Sequence, residues 1–468
     1  MKQQPNILLI HSDQHRYDCA GANGHPLVQT PQLDRLAREG ANFSHAFTPA
    51  PICAPARASL LTGTWPTTHR CTNIPQTESF QPAREELPTL WRLLSNTGYR
   101  QALVGKFHQE VTGTPEDHGV DDYIPRSGYS AWRQSQNLPP PPDSHGWFGD
   151  ADPYVDPAHT RAAWLADHAL GLVRRYHGEK RPFFIRYDPD EPHLPCRPPA
   201  KLAEVYPAEL VTPWPSFPDP LTDKPYVQKR QLKIWGTQDW TWSQWQPVVA
   251  RYLAEITLID QQVGRLLALL TELGIAEDTL VIYTTDHGDF CGGHGFMDKH
   301  FSMYDDILRV PLMMRFPGVI FPGCVCDAFV THEIDLARTI LEVAGAEVPP
   351  TFEGMNLIRV LNGQDEQRRD IFAQYQGCQM GLYSCRMIRN REWKYVWNPT
   401  SAVDELYQVA DDPGEIRNRI SDPLALPALS ALRRRLIEWM EAAHDPLLNS
   451  FTRSLLDPAQ PAPPRLGP

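Results

Sequence analysis

Apolar residues in this chain gather in short unbroken runs rather than long stripes. Four such runs lie in "NILLIHSD", "QALVGKFH", "RPFFIRYDPDEPH" and "TLVIYTTDH". Each is long enough for a buried strand, too short for a helix, and ends in polar residues. Between the runs the spacing turns helical. "TPQLDRLAREG" predicts a helix with Thr30 as N-cap, Pro31 at its first position and Gly40 as its stop. "LPTLWRLLSNTG" predicts another, ending at Gly98. Residues 248 to 274 predict a long amphipathic helix with Leu253, Ile256, Val263, Leu266, Leu267 and Leu270 on one broad face. Strands alternating with helices imply an α/β fold, a doubly wound and mostly parallel sheet covered on both faces. Ligands in such folds sit beyond the carboxyl ends of the strands, where all four polar clusters would emerge together.

Two regions interrupt this pattern. Residues 124–160 and 195–247 are rich in proline and tryptophan, with five tryptophans from Trp214 to Trp245. So many aromatic residues suit ordered insertions rather than linkers, and packing in a lid is the expected role of these tryptophans. From about residue 350 the character changes. "RMIRNREWKYVWNPTSAVDELYQV" predicts two or three strands of a small antiparallel sheet, and "PALSALRRRLIEWMEAA" a closing helix. The expected organisation is a catalytic domain over 1–350, a smaller subdomain over 351–455 and a proline-rich tail over 456–468.

Composition narrows the function. The 468 residues carry a formal net charge of −12, which argues against a nucleic-acid partner. A site can still be locally positive inside an acidic protein. No run approaches the roughly 18 apolar residues that span a membrane. The start, "MKQQPNILLIHSDQ", has no signal-peptide architecture, and nine scattered cysteines suit a reduced chain; a cytoplasmic location is expected. The tail after Asp457 is long enough to reach a neighbouring subunit, so a homo-oligomer stays open.

The strand ends carry the chemistry. Asp13 with Gln14, and Asp286 with His287, supply two carboxylates, an amide oxygen and an imidazole. That set suits one divalent cation such as Ca²⁺ or Mn²⁺. Arg57, Lys106, His108, His193 and Lys299 are cationic or protonatable groups near the same edge. Beside a metal they would make a pocket for a tetrahedral oxyanion. His294, in "GGHGF", reads as loop structure. Cys53, in "TPAPICAPARASLLTG", precedes a helical run from Ala58 to Leu61 that stops at Gly63. By spacing alone it is either a small buried hydrophobe or a thiol activated by a helix N-terminus and Arg57.

"CAPARASLLTG" resembles the signature of the type I sulfatases of the alkaline phosphatase superfamily, Cys-x-Pro-x-Arg with a Thr-Gly ending. The resemblance runs from Pro5 to about residue 420. It includes "PNILLIHSDQ", "GKFH", "EPHLP", "YTTDHGDFCGGHGFMDKHFSMYDDILRVPLMMRFPG" and "DELYQVADDPGE". It implies that a separate formylglycine-generating enzyme oxidises Cys53 before folding, and that the aldehyde hydrate is the nucleophile. It further implies Asp13, Gln14, Asp286, His287 and modified Cys53 as metal ligands, with Ca²⁺ expected and Mn²⁺ as the alternative. Arg57 and Lys106 would hold the formylglycine, His108 would contact its hydroxyl, and His193 and Lys299 would bind the sulfate and assist the leaving oxygen. The implied substrate is a small sulfate monoester. Asp13-Gln14 stands where many members have Asp-Asp, a variant similar to choline sulfatases and phosphonate monoester hydrolases. The presence of Lys106 and His108 favours sulfate. A phosphonate monoester or phosphodiester hydrolase, or a non-catalytic binder of sulfated ligands, remains the alternative.

Overall fold

The computed structural model describes residues 4–77, 79–377, 381–401 and 403–456. Fourteen strands appear among them: β1 (Asn6–Ser12), β2 (Ala41–Phe43), β3 (Ala46–Phe47), β4 (Arg100–Gly105), β5 (Asp122–Pro125), β6 (Phe183–Asp188), β7 (Thr279–Thr285), β8 (Met313–Arg315), β9 (Cys324–Cys326), β10 (Val330–Thr331), β11 (Ile371–Gly377), β12 (Tyr383–Arg389), β13 (Lys394–Trp397) and β14 (Glu405–Tyr407). Eight form one sheet in the order β5-β4-β6-β1-β7-β8-β2-β9. The four apolar runs supply its centre, β4-β6-β1-β7, and these strands are parallel. Only β8 runs against its neighbours. The doubly wound, mostly parallel sheet is therefore present.

Its two faces follow from the side-chain alternation of a strand. Leu8 and Ile10, with Val281 and Tyr283, pack under the helices Pro31–Glu39, Arg161–Gly178 and Trp242–Glu272. Ile7 and Leu9, with Leu280 and Ile282, pack on the other face against Cys53–Thr62, Leu90–Ser95 and His332–Ala344. Burial on both faces explains why these strands read as continuous apolar runs.

Helix boundaries differ from the sequence expectation where tertiary contacts intervene. The long helix starts at Trp242, six positions before the predicted start, because Thr241 and Gln244 form a capping box. The helix predicted to end at Gly98 closes at Ser95, with a turn running on to Gly98. Thr30 occupies the N-cap position as expected, yet its hydroxyl accepts from the Gly21 N–H at 2.8 Å and donates to Asp34. The free helix N–H groups of Gln32 and Leu33 instead donate to Asp260 Oδ1, at 2.9 and 2.7 Å, from the long helix. Gly40 ends the helix for a steric reason: a Cβ there would lie 2.1 Å from the Met314 carbonyl oxygen.

The C-terminal sheet has four antiparallel strands, β11-β12-β13-β14, the first preceding the stretch that predicted two or three. Helix Leu426–Ala442 closes one face through Leu429, Leu432, Leu436 and Met440. Of the expected tail, residues 457–468 lie outside the described residues. The tryptophans of the second insertion pack on one another and on the first insertion. Trp240 meets Trp245 at 4.8 Å and Phe148 at 4.7 Å between ring centroids.

The Asp260 cap gives a stability test. Asp260→Ala should cost about 1–2 kcal/mol in denaturant unfolding, the range of a lost N-cap. Burial pushes the Asp260 carboxyl up to about 7. Its protonated form therefore contributes stability below the ordinary carboxylate range, and this is lost as the pH rises toward 7. Asp260→Asn, which does not ionise, should gain on wild type between pH 4 and pH 7. A pH-independent difference would contradict the assignment.

Candidate active site

Register brings the chemistry together. Ser12 of β1 pairs with Thr285 of β7, so Asp13 and Asp286 emerge side by side. Gly105 of β4 pairs with Asp188 of β6, so Lys106 follows one step further along the same edge. Gly105 has φ +125°, and a Cβ there would sit 1.9 Å from the Asp188 carbonyl oxygen. Only glycine lets the two backbones meet this closely before the chain turns. The Lys106 N–H donates to that same oxygen at 2.8 Å.

Helix Cys53–Thr62 delivers two side chains at once. All ten of its residues are buried, and Cys53 is the first of them. Residues four apart share one helix face, so Cys53 and Arg57 point the same way. Pro55 lies in the first turn, where a missing N–H costs nothing. The helix thus begins at the cysteine, five residues before the run that predicted it. Cys53 Sγ lies 3.1 Å from His287 Nε2 and 3.8 Å from Asp13 Oδ1. Ligand atoms of Asp13, Cys53, Asp286 and His287 all fall within 4.8 Å of one another, and all four residues are buried.

Arg57 neutralises the cluster from behind. Its Nε donates to Asp286 Oδ2 at 2.8 Å and its Nη1 to Asp188 Oδ2 at 2.9 Å, while Nη2 lies 3.6 Å from Asp13 Oδ2. Lys106 pairs with Asp13 on the other side. Burial and the adjacent Cys53 oppose ionisation of Asp13, but Lys106, His193 and Arg57 outweigh them and hold it below the usual carboxylate range. Burial likewise works against a Cys53 thiolate, yet Lys106, Lys299 and His287 carry the thiol well below its ordinary value. Burial also opposes charge on His287, but Asp286 and Cys53 push it up to about 9. Its Nδ1 meets the Gly288 carbonyl at 2.8 Å, which turns Nε2 toward the cluster.

Gln14 stands beside these residues with φ +69°. Its carboxamide oxygen accepts from Lys299 Nζ at 2.6 Å and its nitrogen donates to Asp289 Oδ2 at 2.5 Å. Lys299 Nζ also meets His193 Nε2 at 2.7 Å and lies 3.1 Å from Asp298 Oδ1. Burial, then Lys106, push His108 down to about 4. Cys53, Lys106, His108, His193 and Lys299 line one cavity of about 750 Å³. All the residues singled out in the sequence therefore meet here except His294. That imidazole is buried in its loop, bonded to Asp219 at 2.6 Å and stacked on Tyr304.

Sequence reasoning missed three contributors. Asp188 ends a strand as Asp13 and Asp286 follow theirs, and the same strand-end rule would have found it. His11 was hidden inside an apolar run. It lies 2.9 Å from Glu333 and 3.6 Å from Asp188, beneath the site. Lys394 carries no local signal, because its partners are remote. It holds Met303 O at 2.8 Å and Asp305 at 2.5 Å, bracing the loop that bears Lys299. That loop needs bracing: Asp298, His300 and Phe301 all have positive φ, each of which costs on the order of 1–3 kcal/mol.

The sequence profile of the sulfatase family matches residues 5–346. The chain belongs to the sulfatase family. A second profile, for the C-terminal part of N-sulphoglucosamine sulphohydrolase, matches residues 292–442 of this sulfatase. An arylsulfatase of Clostridium perfringens is 26% identical, over 94% of this chain and 95% of the relative. A choline-sulfatase of Rhizobium meliloti is 28% identical, over 94% and 88%. In three dimensions the sulfatase is similar to a phosphonate monoester hydrolase of Agrobacterium radiobacter, with a TM-score of 0.79, 23% identity and coverage of 94% and 96%.

Arg57 provides the test of this electrostatic frame. Removing one partner from a buried ion cluster costs about 3–5 kcal/mol, and Arg57→Ala should lose that much in denaturant unfolding. Arg57→Lys keeps the charge but cannot span Asp13, Asp188 and Asp286 with one group, so it should recover only part of the loss. An Arg57→Lys protein as stable as wild type would show that a point charge suffices.

Proposed function

We propose that this sulfatase hydrolyses a sulfate monoester to an alcohol and inorganic sulfate, with residue 53 acting as nucleophile after conversion to formylglycine. The convergence of Cys53 Sγ on both His287 and Asp13, inside a ring of Lys106, Lys299 and Arg57, carries the reading. A buried thiol has no need of two carboxylates and three cations. An oxygen nucleophile attacking an anion does.

The donor set fits one divalent cation. Asp13, Asp286 and His287 offer hard or borderline ligands within 4.8 Å, Gln14 can add an amide oxygen, and the orienting bond from His287 Nδ1 to Gly288 is the kind a metal-binding histidine needs. Ca²⁺ is the expected ion and Mn²⁺ the alternative. When bound by Asp13, Asp286 and neutral His287, such a cation would polarise the nucleophile and lower its pKa. The aldehyde hydrate supplies two geminal hydroxyls, one for attack and one for release.

The chain's own groups then divide the work. Arg57 fixes Asp13 and Asp286. Lys106, His193 and Lys299 face the sulfate oxygens, where donors placed in advance stabilise developing charge. His108, neutral near pH 7, is able to take a proton from residue 53. His193 and Lys299, linked at 2.7 Å, are assigned to the leaving oxygen. A formylglycine-generating enzyme acting before folding is the implied partner, since Cys53 is 2% exposed in the fold. A cytoplasmic site of action is part of the same proposal.

Sulfate is preferred over phosphonate for a geometric reason. Sulfate presents three small oxygens, and Lys106, His193 and Lys299 offer three donors; a phosphonate puts a carbon in one place. An unpaired buried donor costs about 1–3 kcal/mol. The kcat/KM for an aryl sulfate should therefore exceed that for the matching aryl phosphonate by about one or two decades, and Lys299→Ala should narrow the gap. A wild-type preference for the phosphonate would transfer the assignment to phosphonate hydrolysis. Cys53→Ala should keep its fold and metal but lose several orders of magnitude in turnover. Activity within about tenfold of wild type, near 1.4 kcal/mol in barrier, would refute the nucleophile and favour a binding role.

A further inference from the structure

The cavity above Cys53 contains a second group of charges that the proposed chemistry does not use. Its position follows from the sheet. Gly105 of β4 pairs with Pro125 of β5, so the next residues, Lys106 and Arg126, leave neighbouring parallel strands together. Adjacent strands are about 4.8 Å apart, which places Arg126 one strand spacing from a lysine that touches Asp13. The Arg126 N–H donates to the Gly105 carbonyl at 3.3 Å and fixes this arrangement. Asp190 and Glu191 lie just beyond the end of β6, on the far side of β4. Arg161 opens helix Arg161–Gly178 and reaches the same point.

Both guanidinium groups converge on Asp190. Arg126 pairs with it through Nη1, and Arg161 Nε lies 3.3 Å from Asp190 Oδ2 and 3.2 Å from Glu191 Oε1. Each arginine spends only one edge on these contacts. Among the described residues, Nε and Nη2 of Arg126 and both Nη atoms of Arg161 have no protein hydrogen-bond acceptor. Both side chains line the cavity and are partly exposed, 39% and 35%. A purely structural Arg–carboxylate pair is commonly bidentate. Here two forks are held in place by single edges, and their other donors are left for something else.

Arg133 on the same wall differs, since Asp152 and the Pro139 carbonyl, both at 2.6 Å, occupy two of its nitrogens; Arg197 is held through one nitrogen, by the exposed Asp143 at 2.6 Å. Burial, then the positive charge of Arg161, push the Arg126 pKa down, and Asp13 opposes them. Asp190 and Glu191 match the two guanidinium groups in number, so what the pair offers an anion is its open donors, set in the same cavity as Lys106 and Lys299. The cavity, about 750 Å³, has room for more than a sulfate group, and Trp147 and Trp235 offer an apolar wall for the rest of the alcohol.

We propose that Arg126 and Arg161 form a subsite for a second anionic group, a carboxylate or a second sulfate, on the alcohol portion of the sulfate ester. The preferred substrate is then at least a dianion, with its second charge beyond the scissile sulfate on the Arg126 side. Asp190 and Glu191 position the two forks rather than fill them. This rests on the sulfatase reading above.

The test compares aryl sulfates that differ in one group. Phenyl sulfates carrying a 3- or 4-carboxylate are set against the corresponding carboxamides, and a phenyl disulfate forms a further arm. The carboxamide makes the better leaving group, so leaving-group chemistry alone favours the uncharged ester. Wild-type kcat/KM should nonetheless be at least tenfold higher for a carboxylate or the disulfate at low ionic strength, with the advantage shrinking as salt is added. Which arm gains identifies the anion. The Arg126→Gln/Arg161→Gln variant should lose at least tenfold more on the charged ester than on the carboxamide. Hydrolysis of all esters with no preference for charge, or a preference that survives the double substitution, overturns the subsite and leaves the sulfatase reading intact. Hydrolysis of none above the Cys53→Ala background overturns both. The wild-type comparison and its salt dependence need no variant, so a double variant that fails to fold does not rescue the proposal.

Discussion

Three aspartates with no solvent exposure, Asp13, Asp188 and Asp286, meet at one edge of a parallel sheet, and Arg57 lies among them. Isolated buried carboxylates would cost far more than a domain can spare. The requirement for a buried counter-charge dictates much of the local architecture. Helix Cys53–Thr62 must be buried along its whole length to carry a guanidinium there, and its face then brings Cys53 to the same carboxylates one turn earlier. The Cys-x-Pro-x-Arg spacing is thus a statement about helix geometry. Four residues make one face, and proline is tolerated between them because the first turn needs no N–H.

The same edge shows how an acidic protein manages an anionic substrate. Negative charge is placed deep, on strand ends, where Arg57 and Lys106 answer it. Positive charge is placed toward the cavity, on Lys106, Lys299 and the two arginines beyond them. Lys299 depends on the rest of the fold more than the others do. It rides on a loop with three residues in left-handed conformations, pinned by Lys394 of the C-terminal sheet and by Phe301 packing between Tyr375 and Tyr383. The smaller sheet, remote from Cys53 in sequence, therefore acts on the site by holding this loop.

The sheet was legible in the sequence because both of its faces are buried and its central strands lack alternation. The candidate site was legible in part because strand ends are local features: Asp13 and Asp286 each follow an apolar run, whereas the helix start at Cys53 lies five residues before the run that predicted it, and Cys53 stood out through its resemblance to the family signature. What escaped was tertiary. Asp260 caps a helix more than two hundred residues away, so Thr30 looked sufficient as a cap while serving Gly21 instead. His11 reads as an interruption of an apolar run and becomes intelligible only with Glu333 opposite it. Gln14, grouped with the metal ligands by position, also bridges Lys299 and Asp289, a pairing that no spacing rule announces.

The central claim is that the carboxylate edge exists to activate an oxygen nucleophile at residue 53. Mass spectrometry of the peptide containing residue 53 tests this most directly, using protein from a host that supplies the formylglycine-generating enzyme. Preparations with different extents of conversion would be compared for their specific activity on an aryl sulfate. The account predicts an aldehyde at residue 53, and activity proportional to the converted fraction. Full activity in a preparation whose residue 53 is entirely unmodified cysteine would contradict it.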